Sequence, residues 1–126
     1  TVVPRRRLAV RAGEIAKGVT VEHEEVSQAC IKIAEGLGVI GPISVQCIFQ
    51  DDVPCFTEVN ARFGGGFPLS VAAGADSPYL LLARTAGIPV ELPAYNDYRV
   101  GVYMTRFDQS LFLNEDEHAK VQSYNS

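Results

Sequence analysis

The sequence predicts an α+β domain: a mostly antiparallel sheet with helices packed on one face. Three observations carry that expectation. Ile43, Val45, Cys47 and Phe49 alternate with Ser44, Gln46 and Gln50, the period of a half-buried strand, with Ile48 the exception. A second alternation follows in Pro54–Phe63, with Cys55, Thr57, Val59, Ala61 and Phe63 on one face and Glu58, Asn60 and Arg62 on the other. Ahead of both, Val26, Ala29, Cys30, Ile33 and Leu37 recur at helical spacing.

Taken in order, residues 2–11 and 14–21 read as two strands joined at Ala12-Gly13. The helix from Glu24 to Leu37 has Glu22, Glu24 and Glu25 where its dipole favours negative charge, and Gly38 can close its C-terminus. The two alternating strands form a hairpin turning around Asp51-Asp52-Val53, and Pro54, lacking an amide donor, suits a strand's first position. Beyond Gly64-Gly65-Gly66, Phe67–Ala73 predicts a short helix. Asp76-Ser77-Pro78 starts another with a side-chain cap and a proline in the first turn, and Gly87 and Pro89 stop it. Tyr98–Phe107 reads as a strand. Residues 1–107 form one unit and 108–126 a C-terminal strand or loose tail.

The 126 residues suffice for one core, and contents of 47% hydrophobic and 21% charged are ordinary globular values. A net charge of −4 argues against a nucleic-acid partner. No apolar run approaches the roughly 18–20 residues of a membrane span. Cys30, Cys47 and Cys55 form no C-x-x-C pair and lie in apolar-periodic stretches, which predicts buried free thiols and a reducing, cytoplasmic compartment. The chain opens without Met and already in a strand-like run, so a fragment of a longer protein is expected.

Glu58-Val59-Asn60-Ala61-Arg62 carries the chemistry. On one strand face its polar side chains stand roughly 6–7 Å apart. Glu58 and Asn60 offer hard oxygen ligands of the kind Mg²⁺ takes, and Arg62 a fork of donors for a phosphoryl group. The alternative is a half-exposed strand whose outer face is simply polar. If the apolar faces of both hairpin strands meet one core, Gln46 shares a sheet face with Glu58. A three-residue loop puts the two opposite each other. A two- or four-residue loop would put Gln46 opposite Thr57 unless a bulge intervened, so an odd-numbered loop or a bulge is expected. Other chemistries fit less well. Phe67-Pro68 follows the glycines where a Walker loop needs Lys-[Ser/Thr]. His23 and His118 lack metal-spaced partners and read as surface histidines. No base is proposed for a Ser or Cys nucleophile.

Gln46, then Glu58-x-Asn60-x-Arg62 and the glycines, followed by Pro68-Leu69-Ser70-Val71-Ala72-Ala73-Gly74-Ala75-Asp76, resembles the C-terminal half of an ATP-grasp fold. The flavour is that of the carbamoyl-phosphate synthetase large subunit and related carboxylate–amine ligases. Arg11-Ala12-Gly13-Glu14 with Thr20-Val21 resembles the family's preceding hairpin, and the likeness spans residues 1–107. It implies a MgATP-dependent ligase, with Mg²⁺ or Mn²⁺, that activates a small-molecule carboxylate as an acylphosphate for capture by an amine or similar nucleophile. Carried over, Glu58 bridges two metal ions with Gln46 on one and Asn60 on the other, and Arg62 is the catalytic group holding the transferring phosphoryl. Many family members have Asp or Glu where Gln46 stands. The family's nucleotide-clasping half normally precedes such a segment, so this chain alone is expected to be inactive. Arg5, Arg7 and Arg11, on one strand face, and Lys17 can line the polyphosphate or the carboxylate; the alternative is a solvated strand face. The glycines either turn the chain tightly or bring backbone amides to phosphate. A second reading is a non-catalytic module that binds in the retained cleft or forms a homodimer through an exposed sheet edge.

Overall fold

The computed structural model describes residues 1–117. Its elements are β1 (Arg5–Arg11), β2 (Glu14–Thr20), α1 (Glu24–Gly36), β3 (Ser44–Gln50), β4 (Val53–Asn60), α2 (Phe67–Ala72), α3 (Ser77–Thr85) and β5 (Tyr103–Thr105). The fold is α+β with all strand pairs antiparallel, in two sheets: a three-stranded one ordered β1-β2-β5 and the two-stranded β3-β4 hairpin.

The first sheet holds the core. Ile15 and Val19 of β2 are buried together with Leu69 of α2, and Ala73, Ala75 and Ala83 complete the apolar interior. Small residues dominate it, so helices and strand approach closely. Gly18 makes room within the sheet itself: a Cβ there would lie 2.6 Å from the end of the Ile15 side chain and 3.3 Å from the Arg6 carbonyl oxygen of the neighbouring strand. Thr20, almost fully buried, is the polar exception; its hydroxyl donates to the Arg99 carbonyl at 2.8 Å and accepts from the Val102 amide at 2.9 Å. A buried hydroxyl needs such partners.

The strand expected over Tyr98–Phe107 shrinks to β5. Gly101 takes φ +79, and Arg99 and Gly101 donate their amides to the Ala73 and Thr20 carbonyls instead of extending a ladder. Helix α1 begins at His23, whose Nδ1 accepts from the Val26 amide at 3.4 Å while its ring tilts onto Phe49 at 5.1 Å. His23 is therefore a cap and a packing residue, not the simple surface histidine expected. Gly38, at φ +61, closes the helix as its sequence suggests. Asp76 caps α3 by accepting from the Tyr79 amide at 3.0 Å. In the C-terminal segment, residues 108–114 form no strand, and Asn114 and Glu117 exchange reciprocal side-chain-to-amide bonds at 3.0 Å around a helical turn at 115–117. His118 and the rest of 118–126 lie outside the described residues. Among the described residues no helix is long and apolar enough to cross a membrane.

Candidate metal and phosphate site

The β3-β4 hairpin turns on two residues, Asp51 and Asp52, at φ +48 and +63. Positive φ at both positions is the turn whose twist matches paired strands, and Asp tolerates it better than most residues. A regular ladder from that turn would set Gln46 against Thr57. It does not, because the register shifts: Cys47 faces Phe56 but Gln46 faces Glu58, leaving Thr57 as the extra residue of a bulge. The Thr57 hydroxyl donates to the Gln46 carbonyl at 3.4 Å, which ties the bulge down. The bulge also corrects the expected apolar face. Phe56 stands opposite Cys47, and Cys55 stands opposite Ile48.

Beyond the bulge, Ser44 faces Asn60, so Gln46, Glu58 and Asn60 occupy neighbouring positions on one sheet face. The Gln46 Nε2 donates to Glu58 Oε2 at 2.5 Å, and Gln46 Oε1 accepts from the Arg7 Nη2 of β1 at 2.5 Å. Arg7, Gln46 and Glu58 form one continuous hydrogen-bonded row joining the two sheets. Among the described residues no hydrogen bond engages the Asn60 side chain, so its amide oxygen remains open to a ligand. One carboxylate and two amides are hard oxygen donors suited to Mg²⁺, with water completing the shell. The donor set therefore fits a divalent cation. Among the described residues no three His, Cys, Asp or Glu side chains converge as a metal site, so a cation here would combine the single Glu58 carboxylate with amide oxygens.

Arg62 departs from the sequence expectation. The strand ends at Asn60, the Arg62 amide donates to the Asn60 carbonyl at 2.8 Å, and the guanidinium folds onto the Phe63 carbonyl at 3.1 Å. A bend replaces the strand geometry that would have carried Arg62 on the face of Glu58. The side chain is exposed, two residues beyond Asn60 and off the strand.

The other basic residues scatter. Register shifts between Arg7 and Val10 interrupt the alternation of β1, and its arginines reach three different partners. Arg5 turns inward and donates to Ser70 Oγ at 2.5 Å and the Gly66 carbonyl at 3.3 Å. Burial, with the charge of Arg7 nearby, pulls its pKa below the ordinary guanidinium value. Arg11 pairs with Asp108 at 2.7 Å in the open. It lines a cavity of about 280 Å³ with Glu14, Ile15 and Arg106 at the β1-β2 turn, away from Glu58. Lys17 sits mid-strand opposite Ala9 and Thr105, with no hydrogen-bond partner among the described residues. Of the four basic residues expected at a polyphosphate, only Arg7 touches the Gln46-Glu58 row.

Two residues with a role in the site's support were not singled out by the sequence. Ser70, nearly buried, receives Arg5, and Arg106 joins Glu14 at 2.8 Å and the carbonyl of Gly65. No local pattern marks either, since their partners lie far away in the chain. The glycine loop these arginines hold is tight. A Cβ at Gly64 would lie 2.5 Å from Ser44 Oγ, so the triplet lets the chain leave the hairpin directly beside β3. Cys30, Cys47 and Cys55 are free but only half-buried, not buried as expected; partial burial pushes the Cys30 and Cys47 thiols up, the opposite direction from an activated thiolate.

A comparison with protein families matches residues 1–107 to "ATP-grasp in the biosynthetic pathway with Ter operon". No curated protein matches the chain.

Proposed function

Because this chain belongs to the ATP-grasp family, we propose that it supplies the metal and phosphate side of an ATP-dependent ligase that activates a carboxylate as an acylphosphate. An amine or similar nucleophile then captures that acylphosphate, as in the carbamoyl-phosphate synthetase flavour of the sequence. The supporting observation is the register that sets Gln46 against Glu58, with Asn60 next on the same face. In the proposed roles Glu58 and the amide oxygens of Gln46 and Asn60 hold Mg²⁺ or Mn²⁺. The bound cation supplies charge neutralisation for the polyphosphate. Glu58, solvent-exposed at the end of the row, brings the negative charge that attracts the cation. Arg62, on its exposed bend, swings from the Phe63 carbonyl to the transferring phosphoryl group and balances its charge. Arg7 lies where it can follow the polyphosphate. The disulfide-free cysteines are in keeping with a cytoplasmic setting, and the Ter-associated biosynthetic pathway of the family description is part of the same proposal.

The test is Glu58→Ala in the complete ligase. ATP turnover is expected to fall at least about 100-fold, with far-ultraviolet circular dichroism unchanged. Turnover within a few-fold of wild type would remove the metal role. A second reading, a non-catalytic binding or homodimerising module, is favoured by one observation: the Gln46 oxygen is already engaged by Arg7. MgATP binding that is equally strong with and without Glu58→Ala would support that reading.

A further inference from the structure

The amide of Gln46 lies between a guanidinium and a carboxylate. A guanidinium only donates and a carboxylate only accepts, so the amide has one orientation there: oxygen toward Arg7, nitrogen toward Glu58. That orientation is wrong for a cation shared with Glu58, which needs the Gln46 oxygen on the Glu58 side. Rotating the amide to present it would turn the Gln46 NH₂ group toward the Arg7 guanidinium, donor against donor. Approach of a cation to Gln46 Oε1 from the other side would need the space that Arg7 Nη2 holds at 2.5 Å. By either route, the Arg7–Gln46 bond and a metal ion on Gln46 exclude one another.

Resting on the metal reading above, we propose that Arg7 is a placeholder for the divalent cation: it locks Gln46 when the site is empty and is released when the metal binds. The charge distribution supports this. The row has a single carboxylate, and Arg7 supplies the positive charge that a cation would otherwise bring to it. Arg7 is solvent-exposed and on the first sheet, free to leave without disturbing the hairpin that carries the ligands. Arg5, two residues earlier, is anchored to Ser70 and stays. Release thus frees one guanidinium beside the site at the moment a metal-borne polyphosphate arrives.

The experiment titrates Mn²⁺ alone against the chain by electron paramagnetic resonance of free Mn²⁺, with no nucleotide present. Arg7→Met is expected to bind Mn²⁺ about 3- to 10-fold more tightly than wild type, the scale of one charged hydrogen bond in a solvated place. Arg6→Met, which removes the same charge one residue away, should change affinity less than half as much. Equal gains for both variants would reduce the effect to general charge repulsion and overturn the placeholder role, as would weaker binding by Arg7→Met. Glu58→Gln separates the two levels of inference. If it leaves Mn²⁺ binding unchanged, or if wild type and Arg7→Met bind none at millimolar Mn²⁺, the metal reading itself falls and this one with it. A second readout is nuclear magnetic resonance of wild type during Mg²⁺ addition. The Gln46 side-chain amide and the Arg7 Nε–H signals should move together; movement of Gln46 with Arg7 unchanged would overturn the proposal.

Discussion

Replacing Arg5 by Met removes a guanidinium that only the folded chain can place between β1 and α2. Two hydrogen bonds are lost, to Ser70 Oγ at 2.5 Å and to the Gly66 carbonyl at 3.3 Å. Bonds from a charged donor contribute roughly 1.5–3 kcal/mol each. Three considerations bring the sum down. The second bond is long. Burying the cation carries a desolvation penalty that Met avoids, as its lowered pKa signals. Ser70 can also turn its hydroxyl to the carbonyl four residues back, which is that of Gly66, so neither group is left stranded. The expected net loss is about 2 kcal/mol, or roughly 8 °C in Tm for a domain of this size. Arg11→Met is the control. Its ion pair with Asp108 leaves the two side chains 58% and 78% exposed, and such a pair contributes less than about 0.5 kcal/mol. Urea denaturation of the two variants measures both values. An Arg5→Met midpoint indistinguishable from that of Arg11→Met would refute the distinction between an anchoring and a surface arginine.

Three further outcomes follow from the geometry. Gly64→Ala places a methyl 2.5 Å from Ser44 Oγ and should destabilise by about 1–3 kcal/mol; Ser44→Gly in the same chain should recover more than half, and additive losses in denaturation would contradict the close approach. Asp76→Ala deletes the α3 cap and should lower stability by about 1 kcal/mol, whereas Asp76→Asn should lose only part of that. Hydrogen bonds from Gln28, Tyr95 and Asn96 hold the Glu24 carboxyl below its ordinary value of 4.5, the Gln28 bond first. A depressed carboxyl contributes stability above its unfolded pKa and loses it as pH falls through the folded one. The urea midpoint of wild type should therefore drop relative to Glu24→Gln only below about pH 4.5; parallel curves through that range would exclude the contribution.

What was legible in the sequence tracks how local its cause is. Helix α1, the α3 cap at Asp76 and both hairpins follow from periodicity and turn chemistry within a few residues. The Gln46–Glu58 pairing was legible too, because two alternations sharing one core leave only an odd loop or a bulge, and the bulge is what occurs. Which of the two it would be was not, since Asp51-Asp52 can adopt positive φ without any glycine to announce it. The fate of the arginines was equally hidden. Arg5, Arg7 and Arg11 look equivalent by spacing, yet Ser70, Gln46 and Asp108 claim one each from far along the chain. The expected place of Arg62 on the Glu58 strand face does not hold for a related reason: alternation persists in the residues after the strand itself has ended.

The glycine loop after β4 has a kinetic side. Each hairpin closes over a turn of two residues, but the loop is held by Arg5 across 61 positions and by Arg106 across 41, while Arg5 meets Ser70 of α2 across 65 and Arg106 meets Glu14 across 92. Closing such long segments is entropically slow, so contacts of this separation form late in folding. Nascent chains should therefore pass through a stage in which both hairpins are paired while Glu58 and Asn60 still lack a fixed position relative to the first sheet. Mutations in the arginine anchors, as late-forming contacts, should therefore speed unfolding more than they slow refolding.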